Sequence, residues 1–81
     1  MNKVDPLKEL LKELTDYYEH HTYAPGIICS WLPEEIWYMA IHIFPLKMIE
    51  SRRIIAKITD NDFDSGIRRL REVWVSLRNY Q

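Results

Sequence analysis

Apolar residues recur at intervals of three and four near both ends of the chain, and this spacing predicts two amphipathic helices. The first set is Leu7, Leu10, Leu11, Leu14, Tyr17, Tyr18 and His21. Asp5-Pro6 precedes it, a capping acceptor followed by a proline at the first helical position, so we predict a helix over residues 6–20. The second set is Phe63, Ile67, Leu70, Trp74 and Leu77. Acidic residues between 60 and 64 precede this helix and supply candidate N-cap acceptors.

Three segments between the helices have the composition of β-strands. Residues 27–32 and 35–44 are rich in β-branched and aromatic residues, and Pro33-Glu34 between them indicates a turn. Residues 52–59 alternate, which predicts that Ile54, Ala56 and Ile58 face one way and that Arg53, Lys57 and Thr59 face the other. Residues 45–51 are predicted to form a loop, because Pro45 cannot donate a ladder hydrogen bond.

The element order α-β-β-β-α predicts an α+β fold with a three-stranded antiparallel sheet and both helices on one face. The 81 residues make one small domain, 1–81. Because alternate strand residues point to opposite faces, the segment IWYMAIHIF at 36–44 is apolar on both faces, and helices can cover only one. The pattern leaves open which half faces outward. The halves are Trp37, Met39, Ile41 and Ile43 on one side, and Ile36, Tyr38, Ala40, His42 and Phe44 on the other.

An uncovered apolar face predicts a binding partner, since monomers rarely expose apolar patches beyond roughly 300–600 Å². A second copy of the chain is the simplest partner, and another protein is the next. The residues predicted to form this interface are Trp31, Trp37, Tyr38, Met39, Ile41, Ile43 and Ile55. Aromatic residues on an open sheet can also stack single-stranded bases, which is the alternative function.

Charge favours the protein partner over nucleic acid. The hydrophobic fraction is 47%, the charged fraction 28% and the formal net charge −1, so the chain has no general attraction to polyanions. Local cations could still contact an acidic partner or nucleic acid. The candidates are Arg53, Lys57, Arg68, Arg71 and Arg78. The arginines of the second helix are equally typical of a solvated helix face.

No catalytic, cofactor or metal site is predicted. The candidate soft ligands are His20, His21, Cys29 and His42. Adjacent histidines on a helix point about 100° apart, and the chain contains neither HExxH nor CxxC spacing. The single cysteine is typical of a reducing cytosol, and no apolar run approaches the roughly 20 residues that span a bilayer. We therefore expect a cytoplasmic protein that is not an enzyme and does not bind membranes.

The element order resembles that of the double-stranded-RNA-binding domain. That family holds phosphates with lysines at the start of its second helix, where this chain has Asp60, Asp62 and Asp64. The resemblance implies the fold, while the acidic residues argue against the family's activity. Compact size, an apolar sheet and no recognisable active site are also the profile of small regulators and inhibitors encoded by phages and mobile elements, such as anti-defence proteins.

Overall fold

The computed structural model describes residues 5–19, 23–45 and 52–78. Its elements are α1 (Pro6–Tyr18), β1 (Tyr23–Leu32), β2 (Ile36–Pro45), β3 (Arg53–Asp60) and α2 (Phe63–Arg78), which confirms the predicted order. The sheet is antiparallel with strand order β1-β2-β3, so β2 is central. The predicted ligands His20 and His21 and most of the predicted 45–51 loop lie outside the described residues.

Helix α1 starts where the sequence predicts, with Asp5 as its N-cap residue. Oδ1 of Asp5 accepts hydrogen bonds from the backbone N–H groups of Leu7 at 3.0 Å and Lys8 at 3.4 Å. Pro6 occupies the first turn, where its missing N–H has no helical partner to lose. The helix start is therefore specified by local chemistry alone.

The first strand begins earlier than predicted, because Pro25 and Gly26 lie inside β1 and do not form a turn before it. An edge strand tolerates proline, since only one side of it makes ladder hydrogen bonds. Gly26 pairs with His42, and a Cβ atom at Gly26 would collide with the imidazole ring of His42. A larger residue at this position would displace the imidazole ring of His42.

A β-bulge in β3 changes which of its residues face the helices. Ile41 pairs with Ala56, whereas His42 pairs with Ile54, so Ile55 has no counterpart on β2. The predicted alternation is therefore wrong at this end of the strand. Ile54 lies on the opposite face from Ala56 and is 48% exposed, while Ile55 packs against the core.

Both helices pack on the same face of the sheet. α1 contacts β1 and α2, and α2 contacts β2 and β3. The residues of the core cluster are Leu10, Leu14, Met39, Ile41, Ala56, Ile67, Leu70 and Trp74. A Cβ atom at Gly66 of α2 would lie 2.8 Å from Sδ of Met39, so this glycine lets the helix approach the sheet closely.

Acidic side chains build the corner between β3 and α2. Oδ2 of Asp62 accepts from the Ser65 N–H at 2.8 Å, which caps the helix, and Oδ1 of Asp60 accepts from the Asp62 N–H at 2.9 Å. Oδ2 of Asp60 also pairs with Arg69 at 2.9 Å. The backbone hydrogen bond from Asp62, followed by the one from Arg69, lowers the pKa of Asp60. Asp60 and Asp62 thus stabilise the corner and the start of α2, which accounts for acidic residues at these positions.

Candidate interaction surface

The second face of the sheet carries no described helix or strand, and we call it the open face. Residues paired across adjacent strands lie on the same side, so the register assigns them to it. The open face consists of Ala24, Gly26, Ile28, Ser30, Leu32, Ile36, Tyr38, Ala40, His42, Phe44, Ile54, Lys57 and Thr59. Every strand contributes to it, with β2 along its middle.

This face is apolar and almost uncharged. Its large apolar and aromatic side chains are Ile28, Leu32, Ile36, Tyr38, Phe44 and Ile54. Lys57 carries the one formal charge among these strand residues, and the charge of Arg52 acts on the same face at His42. Ala40 lies at its centre and has no accessible surface, because larger neighbours surround it. The middle of the open face is therefore closely packed and largely apolar.

Most of the predicted interface residues lie on the other face, and this part of the prediction is corrected. Met39 and Ile41 are 0% exposed and Ile43 is 7% exposed, all beneath the helices. Trp37 stacks edge-on against Phe63 of α2, with ring centroids 5.1 Å apart. These side chains form the protein's own core and are not available to a partner.

Three other predicted interface residues have separate positions. Tyr38 lies on the open face. Ile55 packs against the core from the bulge of β3. Trp31 is 53% exposed at the rim of the helix-covered side, and its ring lies 5.2 Å from that of Trp37. Trp31 and Tyr38 thus remain accessible, but on different sides of the sheet.

A signal in the sequence could have assigned the two halves of β2 correctly. One half contains four large apolar residues, whereas the other includes Ala40 and His42. Since helices cover the more hydrophobic face of a sheet, the half with the alanine and the histidine belongs outside. The same argument places Phe44 on the outer face of the sheet, and the pairing of Ile28 with Ala40 then places Ile28 there too.

His42 is the one histidine among the described residues, and it lies on the middle strand of the open face. Its ring lies across Gly26 and 5.9 Å from the ring of Phe44. Nδ1 is shielded from solvent and makes no hydrogen bond in the described structure. Burial, assisted by the positive charge of Arg52, lowers the pKa of His42 below its ordinary value of 6.5. The face therefore favours the neutral imidazole.

We expect acidification to weaken the fold through His42. The unfolded chain has the higher pKa, so it binds the proton first, and the stability contributed by neutral His42 is lost as pH falls below about 6.5. Urea unfolding from about pH 7.5 to about pH 5.5 should show this loss, and His42→Gln should reduce it. Asp60 does not interfere, because its lowered pKa places its titration below 3.8. An unchanged slope in His42→Gln would show that other groups cause the pH dependence.

The predicted cations do not form a single patch. Nε of Arg71 pairs with Oε1 of Glu13 at 2.8 Å and thereby joins α2 to α1. Arg68 borders a small cleft between the two helices, and Lys57 is on the open face. Arg53 and Arg78, far apart in sequence, line one cleft at the ends of the helices. Since Arg71 borders the same small cleft as Arg68, the structure separates these five residues into three places.

Comparison with known proteins gives no family for this chain. No family model, no curated protein and no solved structure matches it.

No metal or membrane site is evident in the part of the chain that the structure describes. No group of three histidine, cysteine or acidic side chains there could hold a metal ion. Burial raises the pKa of the Cys29 thiol, which disfavours the reactive thiolate. Neither described helix has the length and apolar character needed to cross a bilayer. Of the surfaces that the structure describes, the open face is the strongest candidate for function.

Proposed function

We propose that this protein is a non-enzymatic protein-binding module that self-associates through the open face. The observation that supports this proposal is the largely apolar surface around Ala40, which faces away from both helices. Exposed apolar surface favours burial by about 25 cal/mol per Å² before the costs of association are subtracted. The occupant that we propose is a second copy of the chain.

Charge and shape favour a second copy over a charged partner. The open face offers Lys57 and, beside His42, Arg52, and no anion among its described residues, so its charge pattern gives little basis for selecting a partner. A second copy presents the same largely apolar surface. Lys57 lies on an edge strand, where its ammonium group can remain in solvent at the rim of a dimer. Two such sheets would pack about 10 Å apart.

The size of the face indicates a dimer of moderate affinity. β1 and β2 are ten residues long and β3 is eight. With strands about 4.8 Å apart and a rise of about 3.3 Å per residue, the face measures about 14 by 30 Å. Standard interfaces bury about 800 Å² of accessible surface on each partner, and a face of about 420 Å² is roughly half of that. The dimer should therefore dissociate on dilution.

The biological role that we propose is regulation or inhibition of another cytoplasmic protein. Its support is the profile expected from the sequence: a compact domain, a single free cysteine and an interaction surface in place of an active site. Origin in a phage or another mobile element belongs to the same proposal and rests on that profile alone.

Single-stranded nucleic acid is the second candidate, and the aromatic rings favour it. Tyr38, His42 and Phe44 lie along the central strand of the open face, where bases could stack. Such binding also needs cations that follow the phosphate backbone, and the described part of the face supplies only Lys57 and the nearby Arg52. We therefore rank this function below self-association.

Light scattering across a dilution series, at low and moderate salt, tests the proposal. We expect twice the chain mass at high concentration, with a midpoint that hardly depends on salt because the interface is apolar. A monomer at all concentrations would contradict self-association. A titration with a single-stranded oligonucleotide tests the second candidate, whose affinity should fall steeply with salt.

A further inference from the structure

A cleft of about 260 Å³ lies on the helix-covered side of the protein, near the C-terminal ends of both helices. We call it the arginine cleft. Its lining residues are Tyr18, Arg53, Ile55, Trp74, Leu77 and Arg78. Two arginines line it together with apolar and aromatic side chains. A ligand for this cleft must therefore match both its positive charge and its apolar walls.

The bulge in β3 helps to build this cleft. Because Ile55 has no counterpart on β2, both Ile55 and Arg53 face the helix side, and Arg53 pairs with the buried Ile43. Without the extra residue, strict alternation would place Arg53 and Ile55 on the open face with Lys57. Bulges commonly redirect side chains at binding sites in this way.

Arg53 and Arg78 have no anionic partner among the described residues, in contrast to Arg69 and Arg71 of α2. Arg69 pairs with Asp60, and Arg71 pairs with Glu13. Arg53 and Arg78 form no salt bridge with any residue in the described ranges. The guanidinium carbon of Arg78 instead lies 4.7 Å from the centroid of the Trp74 ring and 5.4 Å from that of Tyr17. These cation–π contacts attract the guanidinium to the rings and do not use its N–H donors.

A helix C-terminus attracts cations, and this effect accounts for an arginine in the last turn of α2. It does not account for the second arginine, which a strand supplies, or for the apolar walls between them. Leu77 is 45% exposed beside the cleft, while Trp74 is 2% exposed at its base. An apolar ligand group would cover Leu77 and an anionic group would satisfy the arginines.

We propose that the arginine cleft binds an acidic segment of a partner protein, with a carboxylate at Arg53 and Arg78 and an adjacent apolar side chain against Ile55 and Leu77. The volume is below the roughly 300–1,000 Å³ of small-molecule sites and suits one or two side chains. Guanidinium groups bind carboxylates through charge-assisted hydrogen bonds. This site faces away from the open face, so it remains accessible when two copies associate and does not depend on the proposed dimer.

Fluorescence anisotropy with the full chain tests this site, using a labelled peptide of alternating glutamate and leucine as the probe. We expect saturable binding that weakens with salt, and much weaker binding of the matched peptide with glutamine in place of glutamate. Arg53→Gln and Arg78→Gln should each weaken binding about tenfold or more, since each removes a hydrogen bond to a charged group. Arg53 is exposed, so its substitution should leave the fold intact.

The control is Arg68→Gln, which removes the same charge from α2 but lies outside the arginine cleft. It should bind the glutamate peptide like the unmodified protein. Equal binding of the two peptides, or undiminished binding by Arg53→Gln, would overturn the proposal. A single-stranded oligonucleotide that binds more tightly than the peptide and loses affinity in Arg53→Gln would assign the cleft to nucleic acid instead. Light scattering of Arg53→Gln separates this result from dimerisation, which the variant should preserve.

Discussion

Met39→Ala should destabilise the folded chain by about 2 to 5 kcal/mol, as large-to-small substitutions in a packed core do. Met39 is completely buried, and its thioether lies against Gly66 of α2. A domain of this length has a total stability of roughly 4 to 12 kcal/mol, so the loss is enough to unfold much of the protein. Urea unfolding followed by tryptophan fluorescence measures the effect.

The neighbouring residue provides the control, because Tyr38 points to the open face. Tyr38→Ala should change the stability of the monomer by no more than about 1 kcal/mol, the usual cost at a partly exposed site. Both variants should be compared at the lowest workable protein concentration, where self-association adds least to stability. A greater loss for Tyr38→Ala than for Met39→Ala would mean that the assignment of the two faces is reversed.

Ile28→Lys should weaken self-association at least about 100-fold while leaving the monomer folded. Ile28 pairs with Ala40 at the centre of the open face. A symmetric dimer contains the substitution twice, so two ammonium groups would have to leave water or push the sheets apart. Light scattering across a dilution series should then show the single-chain mass at concentrations where the unmodified protein is a dimer.

Leu11→Lys is the matched control for added charge. Leu11 is 38% exposed on α1, on the opposite side of the sheet, so the change adds the same charge and removes an exposed apolar residue. We expect this variant to dimerise normally. If both lysine variants dissociate equally, net charge and not the open face controls association.

The elements with local causes could be predicted from the sequence. The start of α1 follows from the Asp5 carboxylate and Pro6, and the start of α2 follows from the acidic residues before it, of which Asp62 is the cap. The start of β1 could not be predicted in the same way. Pro25 and Gly26 favour a turn locally, and only the position of β1 at the sheet edge and the ring of His42 explain them.

The candidate sites depended on contacts that a single sequence does not show. Ile54, Ile55 and Ala56 are all apolar, so no break in the pattern marks the bulge that turns Ile54 outward. This bulge also separates Arg53 from Lys57, which the alternation had placed together. Arg53 and Arg78 meet only because α2 returns along β3 after a tight corner.

The measurement that tests the central claim most directly is nuclear magnetic resonance of isoleucine methyl groups during dilution. Isoleucines on the open face are Ile28, Ile36 and Ile54, and those on the helix side include Ile27, Ile41 and Ile67. We predict that signals of the first set shift with concentration while those of the second set do not. The adjacent pair Ile27 and Ile28 gives the sharpest comparison. Shifts confined to the helix-side set, or signals independent of concentration in both sets, would contradict association through the open face.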